Sequence, residues 1–398
     1  MEFIKLLLIV TFLTLIPGQV LRIPPDSSFG AITLTDISVL VLDFSFLFYS
    51  LAIKKSLKFP PKIFFPFAIF SVWSLATIIW AARLLSAGEI LISSLFLVRF
   101  IIYFFLAVIA FNIVEKDKIR RWIELILTIG VIYILIGFVQ FFTIPDLSFL
   151  TPFGWDPHQR RIVSTVIDPN FSGFIFVLLF SMATSFYFYS AKKLPYFIIA
   201  LGSFIALILT FSRSSYLAFI AAIVVIGIVK SRKLLLGTLL VLLLIFTIVP
   251  QVRTRVVGAL TLDETAQARI ESWQNALTVT RDNPFFGVGF NTYRFTQERY
   301  NFFASDNPEG GHSGGGVDSS LLLVSATTGI IGLALFIFFL GSIVKAAAKN
   351  VSASPLHLAT LASAAALLVH SIFVNSLFFP QIMLLIFPLV GLAAKDDK

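Results

Sequence analysis

Residues 251–318 read QVRTRVVGALTLDETAQARIESWQNALTVTRDNPFFGVGFNTYRFTQERYNFFASDNPEGGHSGGGVD, a long polar interval in a chain that is otherwise one apolar run after another. The interval holds six of the 15 arginines and none of the 15 lysines. The whole chain has 398 residues, 58% of them hydrophobic and 13% charged, and its mean hydropathy is +0.95. That much apolar surface exceeds what a soluble core absorbs, so the class is an all-α polytopic membrane protein. A polar insert in such a protein lies outside the hydrocarbon, and the chemistry is to be sought there first. The absence of Cys excludes disulfides, thiolate nucleophiles and cysteine metal sites. The net charge of +9 is explained by the cytoplasmic bias of basic residues and not by nucleic acid.

Apolar runs of about 20 residues are expected for spanning helices. Twelve candidates stand at 3–21, 31–53, 61–82, 88–112, 122–143, 168–190, 195–212, 214–229, 234–250, 317–344, 356–376 and 380–394. The first lacks a small-residue cleavage site and is expected to be a helix, not a signal peptide. The expected organisation is transmembrane helices 1–9 in residues 1–250, a loop or lid in 251–316, and helices 10–12 in 317–398.

Charge sets the orientation. With the N-terminus cytoplasmic, the inner loops collect Lys54, Lys55, Lys58 and Lys62, then Lys116, Lys118, Arg120 and Arg121. Lys192, Lys193, Lys230, Arg232, Lys233, Lys345 and Lys349 follow, with Lys5, Lys395 and Lys398 at the chain ends. Every lysine is then inside, and the remaining 12 arginines are outside or in the membrane. Ordinary sorting acts on both residues alike. Arg retained where Lys is excluded points to a planar fork gripping phosphate or carboxylate on the outer face.

Two charges fall inside predicted helices, Asp43 and Arg99, counted from Ala31 and Gly88 to nearly equal depth. An intramembrane charge needs a partner or a wet cavity, so an Asp43–Arg99 pair is expected, with Arg99 facing a ligand cavity as the alternative. A second outer loop, 144–167, ends in Arg160-Arg161. Asp168-Pro169-Asn170 then opens the sixth helix, with Asp or Asn capping free N–H groups.

Within the long interval, Ala266, Ile270, Trp273 and Leu277 recur at helical spacing and predict an amphipathic helix from Asp263 to Thr280. Arg269 and Trp273 sit one turn apart on it. Asn283-Pro284 ends the helix and Gly287-Val288-Gly289 predicts a sharp turn. The glycines of 310–316 are not followed by Lys-Ser or Lys-Thr, so they form no nucleotide phosphate loop and read as a hinge. They bring His312 and Asp318 to the mouth of the tenth helix, where either is a candidate base and Asp318 is alternatively a plain N-cap. Asp26 in the first outer loop is a further candidate carboxylate.

Several stretches together resemble one family. Thr210-Phe211-Ser212-Arg213 is similar to its T-x-S-R signature, and Arg269-x-x-x-Trp273 with Pro284-x-x-Gly287-x-Gly289 to its long-loop pattern. Val317-Asp318-Ser319-Ser320-Leu321 through Gly329 and Gly332 resembles the helix that follows, and Leu34-Thr35-Asp36 and Asp168-Pro169-Asn170 also fit. The chain thus resembles the O-antigen ligase and O-antigen polymerase superfamily. The resemblance implies a helical, C-type glycosyltransferase-like fold in the bacterial inner membrane. It also implies undecaprenyl-diphosphate-linked glycans handled on the periplasmic side, with no nucleotide sugar, metal or cofactor. It implies that Arg213 and Arg269 hold the lipid diphosphate. Arg99, Arg160, Arg161, Asn170, Trp273 and Arg294 are further candidate contacts to diphosphate or glycan. The ligases start the tenth helix H-N-x-x-L, whereas this chain has Val317-Asp318-x-x-Leu321, closer to the polymerases. Partners implied are a lipid-linked oligosaccharide donor, a glycan acceptor, membrane lipids, and chain-length regulator and flippase proteins.

The chemistry is consistent with that resemblance. Breaking a sugar–diphosphate bond builds charge on the leaving group, which pre-placed arginines stabilise by several kcal/mol in comparable cases. A base, Asp318 or His312, takes the acceptor proton, and attack from the opposite face inverts the anomeric centre. Polymerisation of lipid-linked repeat units is the expected activity, with ligation to a lipid A core as the sister reading. A lipid-linked sugar transporter is the rival class; it predicts inverted repeats with paired broken helices, and no halves match here.

Overall fold

The computed structural model describes residues 1–24, 31–54, 56–302 and 316–396. Asp26, His312 and the glycine run 310–315 lie outside them. The described chain is all-α apart from a two-residue antiparallel pair, β1 (Arg22–Ile23) with β2 (Ile32–Thr33). In order, the first nine helices are α1 (Glu2–Leu13), α2 (Leu34–Phe48), α3 (Pro61–Ala81), α4 (Ala87–Ile113), α5 (Ile119–Thr143), α6 (Pro169–Tyr189), α7 (Lys193–Leu209), α8 (Arg213–Val229) and α9 (Arg232–Ile248). The polar interval forms α10 (Pro250–Leu260), α11 (Glu264–Asp282) and α12 (Tyr293–Arg299). The chain closes with α13 (Ser320–Ala348), α14 (Pro355–Phe373) and α15 (Pro380–Asp396).

An apolar helix stands at each of the twelve predicted positions, but not all are long enough to span. Seven are long and apolar enough to cross a membrane, and an eighth is counted if α9 is joined to the bent segment after it. α7, α8, α9 and α15 have 17 residues each and α1 only 12. At about 1.5 Å per residue, a 17-residue helix falls short of a hydrocarbon core of about 30 Å. The run at 3–21 exceeds α1 because turn residues such as Leu15 and Ile16 are apolar enough to read as helix.

The lysine-bearing loops meet at one end of the bundle. Lys5 pairs with Glu115 at 3.0 Å, and Arg120 bonds the Ser190 hydroxyl. Tyr189 and Lys230 both donate to the Ser352 carbonyl, and the Ser354 hydroxyl reaches Asp396. Lys5 and Asp396 therefore lie at the same end of the bundle. α6 is the central helix, with 83% of its apolar window enclosed by protein.

The Asp43–Arg99 pair does not form. Arg99 Nε meets Asp36 Oδ1 at 2.9 Å, and a second guanidinium nitrogen reaches Asp36 Oδ2 and the Ala31 carbonyl. Asp36 is the third residue of a capping box with Thr33 that starts α2. The 27-residue α4 begins well outside that first turn, so depth counted from each helix start does not bring Arg99 level with Asp43. Asp43 is buried, and its Oδ1 has no partner among the described residues.

The Gly287-Val288-Gly289 turn exists, but its role is to fill a break in α13. Gly329 sits at φ +70° inside that helix, where helical geometry fails. The freed carbonyls of Ala326 and Thr327 accept the Val288 and Gly289 N–H groups at 3.0 and 2.9 Å. The Trp73 indole takes the Thr328 carbonyl, and the Ile330 N–H returns to Pro284. A broken apolar helix is tolerable because each freed group is satisfied by a neighbour. Phe286 is stacked between Trp73 and Trp80, with centroids 5.0 and 4.8 Å away. The polar interval is thus anchored deep in the bundle at its middle.

Candidate functional site

The α7–α8 turn is the first component. Phe211 adopts φ +50°, an unusual conformation for a bulky residue and one that the surroundings must enforce. Ser212 caps α8 through the Ser215 N–H and donates to Asn170 Oδ1 at 2.7 Å. On the other side, Arg161 Nε donates to the Thr210 carbonyl at 2.8 Å, with a longer contact to Phe211. Asn170 and Arg161 therefore brace the turn, which delivers Arg213 as the first residue of α8. Burial first, then the neighbouring Arg255 charge, push the Arg161 guanidinium down to about 10.

The second component is α11, whose predicted start is correct. Asp263 caps it by accepting the Ala266 N–H. The same carboxylate grips Arg213, with Arg213 Nη1 at 2.9 and 3.1 Å from its two oxygens and Nη2 at 3.2 Å from one of them. Thr265 also receives Arg213. Partial burial raises the Asp263 carboxyl, but hydrogen bonds from Thr265, the Ala266 N–H and Arg213 outweigh it and leave it below the ordinary range.

One turn further, Arg269 is half-buried and its Nε has no hydrogen-bond partner among the described residues. Its guanidinium is lowered by burial and supported mainly by the Asp318 charge. Ser272 and Trp273 then clamp the chain at Asp318: the Asp318 N–H donates to Ser272 Oγ at 3.1 Å, and the Trp273 indole donates to the Asp318 carbonyl at 2.9 Å. The cap of α13 is Ser319, which accepts the Leu322 N–H, so Asp318 is not the N-cap, and its charge acts on Arg269. Burial holds that carboxyl above the usual carboxylate range, with Arg269 pulling it back and Asp168 and Asp156 pushing it up.

A cavity of about 200 Å³ opens between these components, lined by Arg213, Arg269 and Trp273 with Leu217, Leu262 and Ile270 on its apolar wall. Two arginines 56 positions apart in sequence thus face one space that has a greasy side and a charged side. Of the other expected contacts, Arg161 and Asn170 support this site from behind and Arg160 is exposed at φ +49°. Arg99 is engaged by Asp36, and Arg294 lies half-buried on α12, away from the cavity lining. Asp168 caps α6 through the Asn170 and Phe171 N–H groups, as its sequence context predicted.

Sequence reasoning missed four participants. Arg255 lends its carbonyl to Arg213 and its charge to Arg161. His158 is pushed down to about 4, by burial first and then by Arg161 and Arg255, while burial raises its neighbour Asp156. Asp263 was legible as a cap but not as the partner of Arg213, since nothing local in sequence links positions 50 apart. Asn375, whose amide lies beside Gly316, has a buried Oδ1 with no partner among the described residues.

Residues 197–337 match a protein-family model described as O-antigen ligase. The match covers about a third of the chain. It runs from α7 to the middle of α13 and contains Arg213, Arg269, Trp273 and Asp318, while Phe373 of the cavity lining lies outside it. The matched stretch is thus similar to O-antigen ligases, in a chain with seven helices long and apolar enough to cross a membrane among the described residues. No curated protein matches the chain significantly.

Proposed function

We propose that the protein is a metal-independent glycosyltransferase of the bacterial inner membrane that polymerises undecaprenyl-diphosphate-linked repeat units on the periplasmic face. The observation that carries this reading is the shared cavity of Arg213 and Arg269, with the backbone of Asp318 held next to it by Ser272 and Trp273. The diphosphate lies against the two guanidinium groups, and the apolar wall of Leu217, Leu262 and Ile270 takes the first part of the lipid. As the bond from the anomeric carbon to the diphosphate oxygen breaks, charge gathers on the leaving diphosphate and the arginines stabilise it in place. Asp318 accepts the proton of the attacking hydroxyl, a role its raised affinity for protons suits. The end of α10 and α11 cover the cavity as a lid, and both chain ends are cytoplasmic at the lysine-rich end. His312 is a second candidate base.

Ligation to a lipid A core is the second reading, and the family description favours it. Proteoliposomes supplied with an undecaprenyl-diphosphate repeat unit separate the two. A ladder of longer lipid-linked products supports polymerisation. Transfer only to an added lipid A core acceptor replaces it with ligation, and lipid movement across the bilayer without any product sinks the enzyme reading.

A further inference from the structure

A continuous polar connection runs behind the cavity, in helices that are otherwise apolar. Its centre is His370, fully enclosed near the end of α14 and stacked on Phe174 of α6 at 4.8 Å. His370 Nε2 lies 3.3 Å from Ser215 Oγ, and His370 Nδ1 bonds the Ser376 hydroxyl. Ser215 in turn reaches the Asn170 carbonyl at 3.0 Å and Ser212 Oγ at 2.9 Å. Close approach of α6 and α8 makes this possible: a Cβ on Gly173 would lie 2.4 Å from Ser215 Oγ.

A hydroxyl has one proton, and the Asn170 carbonyl and Ser212 Oγ, at 3.0 and 2.9 Å, are closer to Ser215 Oγ than His370 Nε2 is at 3.3 Å. With the Ser215 proton on one of those two, His370 Nε2 donates to Ser215 and Nδ1 accepts from Ser376. The ring is neutral and fixed in one tautomer, with both nitrogens satisfied in a dry interior.

The same corner holds the other half of the site. Ser319 donates to the Ser371 carbonyl at 3.3 Å, and Ser320 donates to the Val374 carbonyl at 3.2 Å while accepting the Leu377 N–H. Residues 370–377 thus touch the turn that carries Arg213 and the two serines that follow Asp318. Residues 370–377 themselves lie outside the matched stretch. We propose that His370 is a positioning residue for glycan transfer: it registers the Arg213 turn against the Asp318 helix start, so that the donor and acceptor halves of the cavity keep their spacing. The inference rests on the functional reading above for what the two halves bind.

The test uses full-length protein in detergent, reading undecaprenyl diphosphate binding and, in proteoliposomes, the kcat and KM for the lipid-linked donor. His370→Gln keeps a donor toward Ser215, His370→Asn does not, and Ser215→Ala removes the link itself. Ser215→Ala and His370→Asn are expected to weaken lipid diphosphate binding about tenfold, the size of a lost buried hydrogen bond, while His370→Gln recovers most of it. Because the acceptor half also shifts, kcat falls in the first two variants beyond the change in KM. Equal binding and kcat in Ser215→Ala and wild type overturn the proposal, as does a His370→Gln no better than His370→Asn. A variant that fails to fold is replaced by Ser320→Ala, where kcat is expected to fall with KM unchanged and an unchanged kcat counts against the proposal. Failure of wild type to bind the lipid diphosphate contradicts the functional reading instead, and the two failures are distinguishable.

Discussion

The carboxylate of Asp263 holds the guanidinium of Arg213 at 2.9 Å while accepting the Ala266 N–H that begins α11. The planar fork inferred for a diphosphate is thus occupied, without ligand, by an internal carboxylate of matching geometry. A diphosphate reaching Arg213 must compete with Asp263. Asp263→Asn keeps a good cap and removes the competing charge, so α11 loses at most a few tenths of a kcal/mol. Lipid diphosphate affinity is expected to rise severalfold, measured by titration of the detergent-solubilised protein. A fall in affinity would show that Asp263 holds Arg213 in its binding position instead of competing for it.

Asp318 sets an acid limb. Burial raises its carboxyl, Asp168 and Asp156 add to this, and Arg269 opposes it. A base must be ionised to work, so activity is lost as pH falls through a midpoint above the ordinary carboxylate range. Removing the Arg269 charge raises the Asp318 carboxyl further, and the acid limb of residual activity in Arg269→Gln moves to higher pH. Asp318→Asn is expected to cost about 10²–10⁴-fold in rate and to abolish the limb. A pH–rate profile unchanged in both variants removes Asp318 from the role of base.

Gly329 and Gly341 lie on the same helix and predict opposite outcomes. A Cβ at Gly329 would lie 2.1 Å from the Phe285 carbonyl oxygen, and the residue sits at φ +70°, ψ −177°, a region essentially reserved for glycine. Gly329→Ala is expected to cost about 1–3 kcal/mol from the backbone alone, with the steric overlap added. Gly341 has nothing within 4 Å of its Cβ position, so Gly341→Ala is neutral or gains up to about 1 kcal/mol in helix propensity. Thermal unfolding in detergent compares the two. Equal midpoints would mean that the Pro284–Gly289 plug does not hold the break.

The two acidic residues of α2 are expected to differ sharply. Asp36 engages Arg99, the Tyr103 hydroxyl and its own capping box, whereas Asp43 Oδ1 has no partner among the described residues. Breaking a buried, hydrogen-bonded pair costs about 3–5 kcal/mol. Asp36→Asn is therefore expected to lower the thermal midpoint well beyond Asp43→Asn. A larger loss in Asp43→Asn would restore the pairing expected from sequence.

Local patterns were legible, and long-range pairings were not. The period of Ala266, Ile270 and Trp273 gave α11 with its cap, and Thr210 to Arg213 gave the turn between α7 and α8, because each is decided within a few residues. The outer arginines were legible as a group because Arg is kept where Lys is excluded, and the family resemblance singled out Arg213 and Arg269. The cavity brings Arg213 and Arg269 to one space, and Asp318 stands near it through Ser272 and Trp273. Hidden from sequence were Asp263 as the partner of Arg213, Asp36 as that of Arg99, and the fit of Pro284–Gly289 into α13. Each depends on helix stagger or on a bond between segments far apart, which periodicity does not carry. Helix length was overread where apolar turn residues continue a run.

The most direct test of the central claim is transfer from an undecaprenyl-diphosphate-linked repeat unit by Arg269→Lys, which keeps the charge and loses the fork. Wild type is expected to build a ladder of longer lipid-linked glycans, and the variant, folded to the same thermal midpoint, to lose most of its kcat. A variant with full kcat and unchanged KM for the donor would contradict the account.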